Sequence, residues 1–570
     1  MKLVVSGIPV ASALTFERTA KLVSARSAIT RSTPAPTSLT MIRALITERS
    51  PLDRCYQLSM PLPPRLAYAL LIVSACSAPD SRIPALDGSL ALEIRYPRPG
   101  EAAPAEDSVA LWGTVGTGRA KLMVNRVRVN VEPNGTFSSF LALPPGRSPS
   151  LRFVAHRGND SVVRTILLRR GSPNSSADEG TPVSEGTVRE WGRWVTMRRL
   201  LSDTADRATQ LRPIYSRWRP GGEVAIPIPQ GVRLFANART DRSIRLRLAS
   251  DEQVWVPLAD ADTTARARPM LLRAAPPQLR SDSTEMLISL ALPERLPSTV
   301  ELSGDRLLWT VYGAEWTTRP ASRNGDSAPI RRIVPRHAAP GRVVVDVGLV
   351  SLPLGWRTEW REGALHLRVR RAPLPSKSLH GLVVALDPGH PPDGTTGPSG
   401  LSEDSVTLAV ALVAADKLRQ RGATVILTRT SGRPLSLEAR AVVAEQSRAH
   451  LFISLHLNAP GPGRPPSAVY GTQTYWMNAN GSALARLLLV EVSKAMGQPA
   501  IGMYQGEFAV LRPAWTAAAL VEGSGIVIPE REAFLRTQAG VDAYAQGVVN
   551  GIVRWNRAAD ARALPVSRRR

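Results

Sequence analysis

The chain has 570 residues, too many for one hydrophobic core, so three or four folded units are expected. Its hydrophobic and charged fractions, 43% and 21%, are those of globular protein, and no apolar run reaches the roughly 18 residues of a spanning helix, which excludes a polytopic membrane protein. The formal charge of +25 rests on 66 Arg against 6 Lys, and these arginines are scattered instead of clustered with aromatics. That pattern excludes a nucleic-acid partner and leaves genome composition as the simplest source of the charge, with cell wall or phospholipid as the anionic alternative.

Residues 1–59 are rich in Arg, Ser and Thr without periodicity, and are expected to be unfolded or to precede a true start at Met60. Residues 60–76 combine one positive charge, about ten apolar residues and a small-residue end, the pattern of an export signal. The last four, Val73-Ser74-Ala75-Cys76, resemble the lipobox of bacterial lipoproteins, which implies that Cys76 is acylated and anchors the protein to a membrane. Ser77 after it resembles lipoproteins sent to the outer membrane, so the expected location is periplasmic and lipid-anchored. Removing residues 1–75 takes away nine basic and three acidic residues and leaves +19. It also removes Cys55, the other cysteine, so no disulfide is expected despite an oxidising compartment.

After a linker at 77–88, residues 89–170 read as short strands. Val127, Val129 and Val131 alternate with Arg126, Arg128 and Asn130 ahead of Asn134-Gly135, a half-buried strand followed by a tight hairpin turn. Further runs at 107–115, 136–143 and 150–156 complete a small immunoglobulin-like sandwich. A polar linker at 171–188 leads to 189–262, where Ile226–Leu234, the alternation Ile244/Leu246/Leu248 and Val254–Pro257 resemble a bacterial SH3-like barrel. Residues 263–375 carry more strands, around Met286–Leu292, Arg306–Tyr312, Arg342–Val347 and Leu365–Arg370, and resemble the amidase N-terminal (AMIN) wall-binding domain. None of these all-β modules shows a catalytic cluster; each either places the rest of the chain on its target or spaces it from a membrane.

Residues 379–558 change character, alternating strands and helices as an α/β domain of three layers, before a basic tail at 559–570. The apolar run Gly381–Leu386 is a buried strand that delivers His390 from Asp387-Pro388-Gly389-His390. Glu403 opens a helix with apolar positions at helical spacing, followed by a strand at 423–427 and a helix at 438–449. The strand Leu451–Leu455 then delivers His456. A strand at 472–477, a helix at 482–496, strands near 508–511 and 518–521, and a helix at 541–555 complete the pattern, with Glu522 ending the last strand. Side chains converge at such strand ends in open α/β sheets. Two of only seven histidines and two carboxylates lie there, and imidazole with carboxylate is the donor set of a catalytic zinc site.

The motifs Asp387-Pro-Gly-His390, Gly400-Leu-Ser-Glu403, Leu427-Thr-Arg429 with Leu437 and Arg440, Phe452-Ile-Ser-Leu-His-Leu-Asn458 and Leu520-Val-Glu-Gly523 resemble zinc-dependent N-acetylmuramoyl-L-alanine amidases of the Amidase_3 type. The resemblance covers about a third of the chain, in order. It implies Zn2+ held by His390, Glu403 and His456, with Glu522 as catalytic acid–base, and hydrolysis of the amide between N-acetylmuramic acid and L-alanine of peptidoglycan by zinc-activated water. Arg429 and Arg440 match the family pattern and are left outside the site, as structural arginines. The family's Gly-Gly after the first His is here Pro391-Pro392, its Asn after the ligand Glu is Thr407, and Glu522 precedes Gly-Ser-Gly. Ala459–Ala468 is a short Pro/Gly loop, so the inhibitory helix some members insert after the second His is not expected. The competing expectations are a zinc peptidase acting on stem peptides and a catalytically inactive peptidoglycan-binding lipoprotein that recruits or activates other hydrolases.

Overall fold

The computed structural model describes residues 83–103, 107–146, 148–170, 186–198, 213–318, 320–325 and 328–563. Cys76, the export signal, the residues before it and most of the basic tail lie outside these. Among the described residues no helix is long and apolar enough to cross a membrane.

The N-terminal half is mostly β. Strands Glu93–Tyr96, Ser108–Thr114 and Thr136–Ala142 form one sheet, and Val127–Val129, Lys121–Val124, Ser150–Arg157 and Asp160–Leu167 form a second. Both contribute to one core around Leu111, Leu122, Phe137, Leu151 and Phe153. The tight hairpin is not at Asn134-Gly135, as the sequence led us to expect. It is at Asn125-Arg126, where both residues take positive φ (48° and 66°) between two paired strands. This is the conformation that matches the twist of a two-residue hairpin. Asn134-Gly135 instead turns the chain from one sheet to the other: Asn134 Oδ1 accepts from the Thr136 amide, and Thr136–Ala142 pairs with Ser108–Thr114.

Next comes an antiparallel sheet of seven strands running from Arg189–Met197 to Ala261–Asp262, with its own core of Leu234, Ala236, Ile244, Leu246 and Val254. A four-stranded and a five-stranded sheet then share a core centred on Trp309, which is fully buried.

The C-terminal domain holds one six-stranded sheet. We number its strands β1 (Val383–Pro388), β2 (Thr424–Leu427), β3 (Leu451–Asn458), β4 (Thr472–Trp476), β5 (Ala500–Gln505) and β6 (Ala517–Gly525); its helices are α1 (Glu403–Arg419), α2 (Leu437–Gln446), α3 (Ala479–Ala495), α4 (Pro529–Leu535) and α5 (Gln538–Arg557). The order is β2-β1-β3-β6-β4-β5, parallel except between β6 and β4. The near-continuous apolar runs of β1, β3 and β6 follow from helices covering both faces. α1, α3 and α5 pack on one face through Val410, Leu488 and Val548, while α2 with Phe452, Phe508 and Leu511 covers the other.

One expectation fails here. The apolar residues near 508–511 form a 3-10 turn, Ala509–Leu511, buried on that second face, and the strand lies earlier, at β5, which the sequence reading missed. β5 is an edge strand exposed over most of its length, so it lacks the apolar alternation that marks strands in sequence.

Candidate metal centre and active site

β1 ends in Asp387-Pro388, and the chain then turns sharply, with His390 at φ 60°. Positive φ is costly for a residue with a Cβ, so the turn needs firm support. Arg440, 2% exposed, supplies it by donating to the backbone oxygens of Pro388 (2.7 Å), His390 (3.0 Å) and Pro391 (2.9 Å) and to Asp387 Oδ1 (2.9 Å). Arg429 donates to the oxygens of Pro388 and Gly389, both at 2.9 Å. Thr407, standing where the family pattern has Asn, donates from Oγ1 to the Gly389 oxygen at 2.9 Å. Asp387 is fully buried and also accepts from Thr428 Oγ1 (2.5 Å) and Ser454 Oγ (2.7 Å). Sequence reasoning did not single out Asp387. Its signal was a carboxylate ending an apolar strand, with an arginine within reach on a following helix.

The Pro391-Pro392 departure has a place in this turn. The Pro392 oxygen lies 3.1 Å from His390 Nδ1, and with the proton on Nδ1 the ring donates to it and leaves Nε2 with a free lone pair.

Glu403 is the first residue of α1 and is 3% exposed. Its Oε1 lies 3.2 Å from His390 Nε2 and 3.1 Å from His456 Nδ1, and accepts from the Leu457 amide at 3.0 Å. Its Oε2 accepts from the Thr395 amide at 3.0 Å. Burial works to raise the Glu403 pKa, but the hydrogen bonds and charges of the two histidines outweigh it and hold the carboxyl below the usual range. Burial works to lower the His390 pKa; the hydrogen bond and charge of Glu403 overcome that and raise it.

His456 comes from the middle of the sheet on β3, and its ring stands edge-on to that of His390, centroids 4.9 Å apart. Glu522 is its neighbour in register on β6, and Gln473 on β4 is the next along. Glu522 is 9% exposed, and its Oε2 has no hydrogen-bond partner among the described residues. Burial first, and the negative charge of Glu403 second, push its carboxyl well above the usual carboxylate range.

The structure thus brings all four residues singled out from the sequence into one place. His390, Glu403 and His456 each offer a donor atom, and these lie within 4.8 Å of one another, a group that could hold a metal ion. Nitrogen and oxygen donors on a tetrahedral zinc with bonds of about 2.0–2.2 Å sit roughly 3.3–3.6 Å apart; the two Glu403–His separations, 3.1 and 3.2 Å, are close to this and the whole group lies within 4.8 Å, so the residues fit such an ion. After His456 the chain runs through residues 459–465 to a short 3-10 turn, Pro466–Val469, with no α-helix before β4.

Two histidines and a carboxylate gathered at strand ends and a helix start, beside a buried acid whose pKa is raised, are the side-chain set of a metal-site hydrolase on an α/β scaffold. Residues 384–554 match the family model described as Amidase_3, N-acetylmuramoyl-L-alanine amidase, and this C-terminal domain belongs to that family. The chain is similar to the N-acetylmuramoyl-L-alanine amidase LytC of Bacillus subtilis (28% identity over 179 residues, 31% of this chain and 36% of LytC). It is also similar to the germination-specific N-acetylmuramoyl-L-alanine amidase of that organism (28% over 203 residues, 32% of this chain and 82% of the relative). Among solved structures, the catalytic domain of CwlV, an N-acetylmuramoyl-L-alanine amidase from Bacillus (Paenibacillus) polymyxa var. colistinus, matches at 31% identity over 30% of this chain and 97% of that one, with a TM-score of 0.28. The chain therefore spans about a third of LytC.

Proposed function

We propose that this protein is a cell-wall hydrolase that cleaves the amide between the lactyl group of N-acetylmuramic acid and L-alanine of peptidoglycan. In this reading His390, Glu403 and His456 hold zinc and Glu522 is the acid–base. The observation that carries it is the convergence of those three donors beside the partnerless Oε2 of Glu522, within a domain of the amidase family.

Zinc in such a donor set polarises a carbonyl and lowers the pKa of water towards about 7. The protein's own groups do the rest. Arg440, Arg429 and Thr407 fix the backbone behind His390, and the Leu457 and Thr395 amides fix Glu403, so the donors are set before substrate arrives. Glu522, whose Oε2 has no partner among the described residues, takes the proton of the attacking water and passes it to the alanine nitrogen, which leaves poorly unless protonated. The water oxygen ends on the lactyl carbon as a carboxylate, and the stem peptide leaves with a free amino terminus.

We further infer that Cys76 is lipidated and that the protein works in the periplasm on an outer-membrane anchor. The β modules, read as immunoglobulin-like (89–170), SH3-like (189–262) and AMIN-like (263–375), then hold the catalytic domain (379–558) against glycan. The lipobox and the β-rich architecture support this reading; radiolabelled palmitate retained by the wild type and absent from Cys76→Ser tests the anchor.

The decisive experiment incubates the protein with isolated sacculi, with zinc and separately with chelator, and identifies released fragments by mass spectrometry. Stem peptides with free N-terminal L-alanine, absent under chelator, are expected. New termini within the stem would indicate a peptidase, and binding without release the inactive wall-binding reading.

A further inference from the structure

Strand Ser108–Thr114 of the N-terminal sandwich is buried on both faces, which a two-sheet module standing alone does not require. Val109 and Leu111 point into the sandwich core. Ala110 and Trp112, on the opposite face, belong to the core of the C-terminal domain, with Tyr96 and Phe140 packed against the same cluster. Tyr96 stacks on Trp112 at 4.4 Å between centroids. Trp112 is 5% exposed, and its indole Nε1 donates to the Thr396 backbone oxygen at 2.9 Å.

Thr396 sits in the loop that joins His390 to Glu403, next to Thr395. The Thr395 amide donates to Glu403 Oε2, and the Thr395 oxygen accepts from the Glu403 amide at 2.9 Å. The far side of the loop is held separately: the Ser399 and Leu401 amides donate to the buried carboxylate of Glu532 on α4. The Trp112 bond reaches the half of the loop that orients the Glu403 carboxylate, beside the bridge of Thr396 with Ser402 and the bond from the Gly397 amide to the Leu401 oxygen, and it is the contact that comes from the N-terminal sandwich.

We propose that Trp112 is a positioning residue for Glu403, so that the N-terminal sandwich is a working part of the metal centre. This rests on the reading of Glu403 as a zinc ligand. The indole N–H fixes the Thr396 carbonyl and so restrains the short backbone stretch back to the Thr395 N–H, and that N–H holds the second carboxylate oxygen, leaving Oε1 aimed between the two histidines. Outer-shell partners of this kind change metal affinity by about 10–100-fold when lost, and one bond further out a five- to tenfold effect is expected.

The test uses the full chain with Trp112→Phe, which keeps an aromatic ring against Tyr96 but removes the donor. Zinc affinity is read by competition with a chromophoric chelator, amide hydrogen exchange is followed over residues 394–402, and kcat and KM are measured on sacculi. We expect zinc affinity to fall about five- to tenfold, exchange at 394–402 to rise, and kcat to fall with KM little changed. A role in packing alone would lower the melting temperature and leave zinc affinity and loop exchange at wild-type values, and that result overturns the proposal. If Trp112→Phe does not fold, benzothienylalanine at position 112 keeps the bicyclic shape and removes only the N–H, and the same two readouts decide. Zinc affinity is measured apart from sacculus cleavage. A wild type that binds zinc without releasing stem peptides, alongside a weakened variant, therefore refutes the amidase reading and not the positioning role.

Discussion

Gly389 and His456 are packed so closely that a Cβ on the glycine would lie 2.4 Å from the imidazole Cε1. The turn carrying one histidine of the metal group is thus the surface against which the other rests, and the two cannot be placed independently. Gly389→Ala must displace the His456 ring or the turn. The expected result is a loss of at least about tenfold in zinc affinity with the fold retained, measured by competition titration and circular dichroism. Wild-type affinity in that variant would show that the ring has room to move and that the contact is incidental.

In the proposed mechanism Glu522 moves a proton and does not hold metal. Glu522→Gln preserves the shape of the side chain but cannot accept a proton, so kcat on sacculi should fall by about 10²–10⁴-fold. Bound zinc, counted by elemental analysis after gel filtration, should stay at the wild-type stoichiometry. Full activity in this variant would remove Glu522 from the mechanism, and loss of zinc would make it a ligand.

Arg440 and Asp387 form an ion pair with side chains 2% and 1% exposed. Removing the arginine leaves a buried carboxylate without its counter-charge and takes one donor from each of three turn carbonyls, so Arg440→Ala should cost about 3–5 kcal/mol in the unfolding of the C-terminal domain. Urea unfolding checks this, and a change below about 1 kcal/mol would mean that water replaces the guanidinium at little cost.

His450 lies at the opposite end of the sheet, where its Nδ1 accepts from the Val383 amide at 2.9 Å. Burial, then the charges of Arg370 and Arg448, depress its pKa to about 4. The unfolded chain takes up a proton near pH 6.5 while the folded one resists, so this group's contribution is complete above about 6.5 and is lost as pH falls towards about 4. Allowing for partial solvent contact, the loss is about 2–3 kcal/mol. His450→Asn keeps an acceptor for Val383 and should flatten stability across that window. An unchanged slope in unfolding experiments from pH 7 to 4 would assign the acid sensitivity to other groups.

Much of the site was legible because its donors follow recognisable signals. His390 and His456 end apolar runs, Glu403 opens a helix with apolar residues at helical spacing, and β1, β3 and β6 are continuous because both faces are covered. The roles of Arg440 and Asp387 were not legible: most of the arginine's bonds go to backbone oxygens of a turn, which leave no pattern in residue type, and the carboxylate's partners are side chains 41 to 67 residues away.

What the sequence by itself determined is the local part: which segments are strand or helix where the hydrophobic period is strong, and which residue types arrive at their ends. The tertiary structure alone decided which ends meet. The antiparallel insertion of β4 between β6 and β5 puts Gln473 beside Glu522, and the second apolar face of Ser108–Thr114 puts Trp112 against a loop 284 residues later. Local periodicity records that a side chain is buried, because burial depends on its own chemistry. It does not record against what, because any apolar surface of matching shape satisfies the same free-energy requirement.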